Sequence, residues 1–284
     1  MVSSKPDLDD VVAAALREDL GGEMRDSDLT TRFVVDSALL GEARIIAKSP
    51  GVLSGSEAAA RVFEMVHPPC EYVALLPDGA RMKAGDEAAK IVGPLASILT
   101  AERTALNFLQ RLSGVATITR RYADAIDAYP GVTLLDTRKT TPGLRSLERA
   151  AVRAGGGHNH RNGLWDAILI KDNHIAAAGG VTEAIGRARR AGMPVEVEVD
   201  TLEQLDEALA AGAEMILLDN MNSKLMRRAV EMTAGRAKLE ASGGMTLEGA
   251  IAAARAGVDR ISVGALTHSA PALDLSLEVI KSWR

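Results

Sequence analysis

Aromatic residues and cysteine are both scarce in this chain of 284 residues. Aromatic side chains make up 3% of it, and Cys70 is the one cysteine. Few aromatic rings and a formal net charge of −5 disfavour a nucleic-acid partner, while a lone cysteine excludes a disulfide framework or a thiolate metal site. The sequence has no apolar run of about 20 residues, and its acidic start lacks a signal-peptide stretch. We therefore expect a cytoplasmic protein that binds no membrane.

Short aliphatic runs alternate with helical stretches from about residue 130 onward. The repeat of roughly 20–25 residues is the length of one strand plus one crossover helix, and nearly continuous apolar strands are typical of a parallel sheet covered by helices. The absence of a Gly-x-Gly-x-x-Gly turn favours a (β/α) barrel over an open doubly wound sheet. The predicted strands are 132–136, 167–171, 195–199, 215–219, 237–241 and 260–264, and the predicted helices are 183–192, 202–212, 224–235 and 247–257.

The sequence before this repeat predicts a separate α/β sandwich domain at 1–113. Its predicted helices are 7–20 and 56–66, and its predicted strands are 42–49, 70–77 and 87–93. A long helix at 95–112 joins it to an incomplete barrel at 114–270, with a seventh strand hidden in the glycine-rich stretch 155–159. Residues 271–284 are expected to pack back on the first domain, with an amphipathic helix at 274–283. The predicted fold class is α/β, an N-terminal sandwich plus an incomplete barrel of parallel strands.

Polar residues and glycine follow nearly every predicted strand of the second half. The carboxyl ends of barrel strands meet on one face, and that face carries the active site. Cations are concentrated there although the chain as a whole is acidic, and this predicts a small substrate with several carboxylates or phosphates. The polar set after the first two strands comprises Thr137, Arg138, Lys139, Arg161 and Lys171, with His158, His160 and His174 among them.

Two strand-end carboxylates, Glu198 and Asp219, suit Mg²⁺ or the hydroxyls of a sugar. A surface salt bridge is the alternative for this pair. Glu196 shares a strand face with Glu198, so spacing leaves open which of the two points inward. His158 and His160 are spaced i, i+2 and could together bind a metal ion, but no third nitrogen or sulfur ligand is placed to complete a zinc site. We therefore expect His160 to donate a hydrogen bond near the substrate and His158 to be peripheral.

Two glycine-bearing strand ends precede the last two predicted helices. In barrels such loops bind phosphate through backbone N–H groups and a helix N-terminus. The residues concerned are Ser242, Gly243 and Gly244 in the first loop and Val263, Gly264 and Ala265 in the second. His268 follows the second loop, where it could donate to the phosphate or cap the helix.

Several motifs in one order resemble the quinolinate phosphoribosyltransferase family. The resemblance covers about residues 8–280 and is strongest in ERTALNFLQRLSGVAT (102–117), LDTRKTTPGLR (135–145), GGGHNHR (155–161), DAILIKDNH (166–174), VEVEVDTLEQ (195–204), ILLDNM (216–221), EASGG (240–244) and ISVGALTHS (261–269). It implies a homodimer whose subunits share the active site. It also implies a reaction of NAD biosynthesis, in which quinolinate and 5-phosphoribosyl 1-diphosphate (PRPP) give nicotinate mononucleotide, diphosphate and CO₂ with Mg²⁺.

The resemblance also implies a role for each matching residue. Lys139, Lys171, Glu198 and Asp219 would be catalytic, and Glu198 and Asp219 would hold Mg²⁺ and the ribose hydroxyls. Arg103 would come from the other subunit. The quinolinate carboxylates and the diphosphate would lie among Arg138, Lys139, His160, Arg161 and Lys171, and the 5-phosphate among Ser242, Gly243, Gly264 and His268. His158 stands where many members carry arginine, which affects a peripheral contact only.

Three other functions could use some of the same residues. The molybdenum-operon homologue of the family tends to lose the IKDNH segment and to read TRKTFPG, whereas this chain keeps both Lys171-Asp172-Asn173-His174 and Thr141. A Schiff-base aldolase would use Lys171 as its amine. A non-catalytic barrel would have little need for acids, cations and phosphate loops together. After decarboxylation Lys139, Lys171 or water could protonate C2 of the pyridine, and the sequence leaves these three open.

Overall fold

The computed structural model describes residues 8–21 and 27–284. Asp7 of the first predicted helix and the start that carried the localisation expectation lie outside the described residues. The helices are α1 (Leu8–Leu20), α2 (Leu29–Val34), α3 (Ser56–Met65), α4 (Leu95–Ile126), α5 (Arg145–Ala154), α6 (Asp172–Ala178), α7 (Val181–Ala188), α8 (Leu202–Ala210), α9 (Ser223–Thr233), α10 (Leu247–Ala256) and α11 (Ala265–His268). The strands are β1 (Leu40–Ala47), β2 (Gly51–Val52), β3 (Glu71–Ala74), β4 (Arg81–Met82), β5 (Glu87–Pro94), β6 (Thr133–Leu135), β7 (Ile168–Ile170), β8 (Val195–Val199), β9 (Met215–Asp219), β10 (Lys238–Ser242), β11 (Arg260–Ser262) and β12 (Leu275–Trp283).

The chain divides into two compact units that are not consecutive in sequence. The first comprises the chain up to Arg120, Thr141–Gly156 and Ala270–Arg284, and the second comprises Arg121–Thr140 and Gly157–Ser269. Thr141–Gly156 therefore belongs to the first unit, whereas the predicted barrel domain 114–270 includes it. A buried ion pair accounts for the difference, because Nη2 of Arg111 on α4 lies 2.7 Å from Oε1 of Glu148 on α5.

A four-stranded antiparallel sheet, in the order β12-β1-β5-β3, forms the centre of the first unit. Side chains of β1 alternate between buried and partly exposed, as expected for a strand with one face on the core. Its buried residues Ala43 and Ile45 belong to one apolar cluster with Leu16 of α1 and Phe63 of α3. The predicted α/β sandwich is thus observed as helices packed on one sheet.

The C-terminal segment is a strand, so the predicted helix at 274–283 is wrong. β12 pairs antiparallel with β1, where Leu275 lies opposite Ala47 and Leu277 opposite Ile45. The apolar residues of this segment fit both a two-residue and a four-residue period, and the open backbone edge of β1 decides between them. Pairing with β12 gives the backbone N–H and C=O groups on that edge of β1 their hydrogen-bond partners, whereas a helix would have left them exposed.

The helix predicted at 95–112 continues to Ile126. Ser113 and Gly114 resemble a helix end in sequence, but Gly114 lies inside α4. A Cβ at Gly114 would overlap the carbonyl oxygen of Pro271, so glycine is needed here for a close backbone approach rather than for a turn.

Six parallel strands form the sheet of the second unit, in the order β6-β11-β10-β9-β8-β7. All six predicted strands are present, and the α/β fold class with an incomplete barrel is confirmed. The seventh strand sought at 155–159 is reduced to one parallel bridge between His158 and Leu135. No helix among residues 8–21 and 27–284 combines the length and the apolar character that a membrane span requires.

Candidate active site

A cavity of ≈ 400 Å³ lies in the second unit at the carboxyl ends of its parallel strands. Most of the predicted site residues line it, together with several that the sequence did not single out. The lining residues are Thr137, Arg138, Lys139, His160, Arg161, Leu169, Lys171, Glu198, Leu217, Asp219, Asn220, Glu240, Ser242, Gly243, Gly244 and Ser262. The strand-end prediction therefore placed the cavity in the correct part of the fold.

The first unit holds a larger cavity of ≈ 610 Å³. Its lining includes the acidic residues Asp10, Glu18 and Asp19, and its one lining cation, Arg111, is paired with the buried Glu148. The lining of this cavity does not suit a multiply anionic ligand. The cation-lined cavity at the strand ends of the second unit is therefore the candidate site.

Asp136 joins two separate parts of the cation-rich region. Its carboxylate is fully buried at the end of β6. It accepts a hydrogen bond from Nδ2 of Asn159 at 2.7 Å and another from the backbone N–H of His160 at 2.7 Å. Arg138 lies two residues after Asp136, and Arg161 directly follows His160. This carboxylate therefore brings the two arginines to one cavity.

The cations lie close enough to influence one another. Burial, and after it the charge of Arg138, lowers the pKa of Arg161. Nη1 of Arg161 donates to the carbonyl of Ala167 at 3.1 Å, which fixes the direction of the guanidinium. Two guanidinium groups held together against their repulsion form a suitable site for carboxylates, which they bind through paired N–H donors.

Lys139 is held beside the second glycine loop. The hydroxyl of the buried Thr267 donates to the Lys139 carbonyl at 2.7 Å. A Cβ on Gly264 would lie 3.0 Å from Cδ of Lys139 and 3.2 Å from the ring of His268. Thr267, which sequence reasoning missed, therefore links the lysine to the predicted phosphate loop.

Glu198 and Asp219 end the neighbouring strands β8 and β9, and both line the cavity. Glu198 forms an ion pair with Lys171, and its side chain is 12% exposed whereas that of Lys171 is 46% exposed, so the carboxylate lies in the cavity wall while the lysine stays open to solvent. Nδ2 of Asn220 donates to Oδ2 of Asp219 at 2.7 Å. Asn220 has φ 52°, a left-handed conformation that asparagine tolerates better than most residues.

The residues of the second predicted phosphate loop differ in how open their backbone N–H groups are. Val263 is buried, and its N–H donates to the carbonyl of Leu135 at 3.0 Å, while substrate binding at Val263 stays a prediction. Gly264 and Ala265 begin the short helix α11. Nδ1 of the exposed His268 lies 2.6 Å from Oγ of Ser269, which leaves Nε2 for a ligand.

His160 lines the cavity, as predicted, and its ring nitrogens also have partners inside the protein. Its Nε2 lies 3.1 Å from Oε2 of Glu196 and 3.4 Å from Oε1 of Glu240, and its Nδ1 accepts the backbone N–H of Arg161 at 2.8 Å. Both ring nitrogens are therefore bonded within the protein. Sequence reasoning left Glu196 open and missed Glu240, although a carboxylate inside the apolar run of β10 is a usable signal.

The remaining predicted residues lie outside the cavity lining. Arg103 lies on α4 in the first unit and is exposed. The side chain of His158 is exposed, in keeping with a peripheral position, while its backbone makes the bridge to β6. Nδ1 of His174 accepts the backbone N–H of Lys171 at 2.9 Å and caps α6, so His174 is structural.

Two family models match the chain, and both describe quinolinate phosphoribosyl transferase. The N-terminal domain model matches residues 28–113 and the C-terminal domain model residues 115–278. A probable nicotinate-nucleotide pyrophosphorylase (carboxylating) of Bacillus subtilis is 44% identical over 93% of this chain and 91% of its own length. The nicotinate-nucleotide pyrophosphorylase (carboxylating) of Mycobacterium leprae is 43% identical over 95% of this chain and 96% of its own.

Solved structures are similar over nearly the whole chain. The nicotinate-nucleotide pyrophosphorylase from Francisella tularensis has a TM-score of 0.89 with 40% identity, covering 95% of this chain and 96% of that one. Human nicotinic acid phosphoribosyltransferase has a TM-score of 0.61 with 14% identity, covering 98% of this chain and 74% of that one. The second likeness shows a shared fold only.

Alanine substitution at the two adjacent glycines of the first loop tests the packing of that loop. Both have positive φ, +94° at Gly243 and +49° at Gly244, but a Cβ on Gly243 would overlap Oδ1 of Asn220, whereas Gly244 has open space. Gly244→Ala should cost about 1–2 kcal/mol of unfolding free energy from backbone strain alone. Gly243→Ala should cost about 1–3 kcal/mol more through overpacking. Urea unfolding measures both, and equal losses would contradict the described contact.

Proposed function

The chain belongs to the quinolinate phosphoribosyltransferase family, and we propose that it transfers the phosphoribosyl group of PRPP to quinolinate with decarboxylation. The products are nicotinate mononucleotide, diphosphate and CO₂, so the enzyme is a pentosyltransferase of NAD biosynthesis. One observation carries the proposal: four cations, two strand-end carboxylates and a glycine loop line a single cavity of ≈ 400 Å³. A substrate pair with carboxylates, phosphates and ribose hydroxyls uses all three.

Quinolinate carries two carboxylates on adjacent ring carbons. The neighbouring guanidinium groups of Arg138 and Arg161 suit bidentate binding of carboxylates, and Lys171 adds a point charge on the facing strand end. Nicotinate has one carboxylate and would leave part of this positive charge unpaired in the cavity. Selection for the dicarboxylate therefore follows from charge balance.

PRPP carries its charge at two ends. Lys139 is held beside the Gly264 loop and is suited to the diphosphate. The 5-phosphate would accept hydrogen bonds from backbone N–H groups of the first glycine loop, Ser242, Gly243 and Gly244. The second loop, Gly264 and Ala265, and Nε2 of His268 would add further donors. The close packing of Gly243 against Asn220 keeps the first loop near the carboxylate of Asp219.

Glu198 and Asp219 would hold Mg²⁺. Their carboxylate oxygens line one cavity from adjacent strands, and Mg²⁺ in phosphate enzymes is usually bound by one or two carboxylates plus substrate oxygens. The donor set therefore fits the ion. When bound, Mg²⁺ supplies positive charge that offsets the charge of the diphosphate group.

The reaction breaks two bonds and forms two. The bond from the anomeric carbon to diphosphate breaks while Lys139 offsets the charge of the leaving group, and the pyridine nitrogen forms the new bond to that carbon. The positive charge on the adjacent ring nitrogen then stabilises the electron pair left on C2 when the carboxylate departs as CO₂, so no organic cofactor is needed. C2 takes a proton from Lys139, Lys171 or water, which completes the balance.

The Schiff-base alternative is disfavoured by one contact. Lys171 forms an ion pair with Glu198, and an ammonium group paired with a carboxylate is not a free amine nucleophile. The cavity instead presents it as one cation among several.

We also propose that two copies of the chain share each active site. The four cations that line the cavity all belong to the second unit, and Arg103 is an exposed cation on α4 of the first. The family resemblance implies a role for it, since Arg103 lies in the motif ERTALNFLQRLSGVAT (102–117). The cytoplasmic location expected from the sequence stays a prediction.

A turnover assay tests the proposed reaction. Protein with Mg²⁺, PRPP and quinolinate should release CO₂ and form nicotinate mononucleotide, because the cavity provides cations for both carboxylates. Nicotinate should not substitute for quinolinate, and chelation of Mg²⁺ should abolish turnover. Liquid chromatography of the products and trapping of labelled CO₂ measure these outcomes. Turnover of nicotinate without any of quinolinate would contradict the proposal.

Mixing two inactive variants tests the shared site. Arg103→Ala and Lys139→Ala should each be inactive, since each removes one cation from every site. A mixed dimer contains one site in which both residues are intact, so random subunit exchange should restore about a quarter of the wild-type activity. Each variant exchanged with itself is the control. No recovery in the mixture, with exchange confirmed by mass spectrometry, would show that Arg103 does not act across subunits.

A further inference from the structure

A buried charged cluster adjoins the cavity, and two of its three members, His160 and Glu240, are among the lining residues. It consists of His160, Glu196 on β8 and Glu240 on β10. Glu196 is 3% exposed and Glu240 is 1% exposed, and Nε2 of His160 lies within 3.4 Å of an oxygen of each. The reaction proposed above gives this cluster no chemical step. Carboxylates this deeply buried are rare unless they are paired, so the cluster calls for an explanation.

The cluster has more negative than positive charge when the imidazole is neutral. Nε of Arg260 on β11 lies 3.1 Å from Oε2 of Glu240, and the charges of Arg161 and Glu196 also influence each other. Oε1 of Glu196 and both carboxylate oxygens of Glu240 are buried without a hydrogen-bond partner among the described residues. Nε2 of His160 lies nearer to Oε2 of Glu196, and Glu240 faces the same ring nitrogen at ion-pair distance.

The backbone fixes which nitrogen of His160 carries a hydrogen. A backbone amide can only donate, so Nδ1, which accepts the N–H of Arg161 at 2.8 Å, must be unprotonated. Burial lowers the pKa of His160, but the interactions with Glu196 and Glu240 outweigh it and raise the pKa to about 9. A pKa of about 9 would charge the ring at neutral pH, but an imidazolium has no acceptor nitrogen and would lose the Arg161 hydrogen bond. The contact at Nδ1 therefore assigns the neutral ring.

We propose that Glu196 and Glu240 are positioning residues that hold His160 as its Nε2–H tautomer, and that the ring in turn holds the backbone of Arg161. Asp136 anchors the same loop from the other side, since it accepts the backbone N–H of His160. The direction of the Arg161 guanidinium then depends on two carboxylates to which the proposed reaction assigns no substrate contact. This inference rests on the proposed function only where it assigns Arg161 to quinolinate.

A divalent cation is the competing occupant of the cluster. The ligand atoms of His160, Glu196 and Glu240 lie within 4.8 Å of one another, a spacing that a metal ion could bridge. Such an ion would displace the hydrogen from Nε2 and so remove the tautomer described above. The two occupants therefore give opposite results in one spectroscopic measurement.

Nitrogen NMR of histidine-labelled protein, without any ligand, reads the tautomer. The signals that are present in the wild type and absent from His160→Asn belong to His160. At pH 7.5 they should show a protonated, pyrrole-like Nε2 and an unprotonated, pyridine-like Nδ1. Zn²⁺ or Mn²⁺ added alone should leave the Nε2–H signal in place. An imidazolium, an Nδ1–H tautomer, or loss of the Nε2–H signal on adding Zn²⁺ and its return with a chelator would each overturn the proposal.

Kinetics of conservative variants test the consequence for the substrate. Glu196→Gln and Glu240→Gln keep the shape but remove the charge, and the KM for quinolinate should rise about tenfold or more, while the KM for PRPP changes little. Asp259→Asn is the matched control, because Asp259 pairs with Lys238 at the far end of the sheet. An unchanged KM for quinolinate in both glutamine variants would overturn the proposal. Absence of quinolinate turnover in the wild type would instead refute the proposed function, and the NMR result would still stand.

Discussion

The hydrogen bonds of Asp136 are the contacts on which the rest of the site depends. Arg138 and Lys139 follow β6, whereas His160 and Arg161 belong to a loop on the far side of helix α5 in the chain. A single buried carboxylate accepts from Asn159 and from the backbone of His160, and this holds the two stretches together. Without that anchor, repulsion between the cations would favour their separation.

Compensation of charge organises the layers around the cavity. Cations face the space where substrate would bind, while carboxylates lie beside or behind them. Glu198 pairs with Lys171 in the cavity wall, and Glu196 and Glu240 lie deeper against His160. A multiply anionic substrate would complete this balance, because it supplies the negative charge that the front of the cavity lacks. The same arrangement explains why an acidic protein presents a cationic site.

The sequence predicted most of this site because strand ends in a parallel sheet converge, and the residues at those ends can be read directly. It failed where long-range contacts decide the outcome. β12 is a strand because the edge of β1 was open, and α4 passes through Gly114 because another segment packs closely there. Glu240 was missed since its position beside the site depends on a histidine from a distant loop.

A crystal structure of this protein with phthalate tests the central claim most directly. Phthalate has the two adjacent carboxylates of quinolinate but no ring nitrogen, so it binds without reacting. We predict that it occupies the cavity of the second unit with both carboxylates among Arg138, Lys139, Arg161 and Lys171. Phthalate bound outside this cavity, or with a carboxylate against Glu198 and Asp219 in place of the cations, would contradict the account.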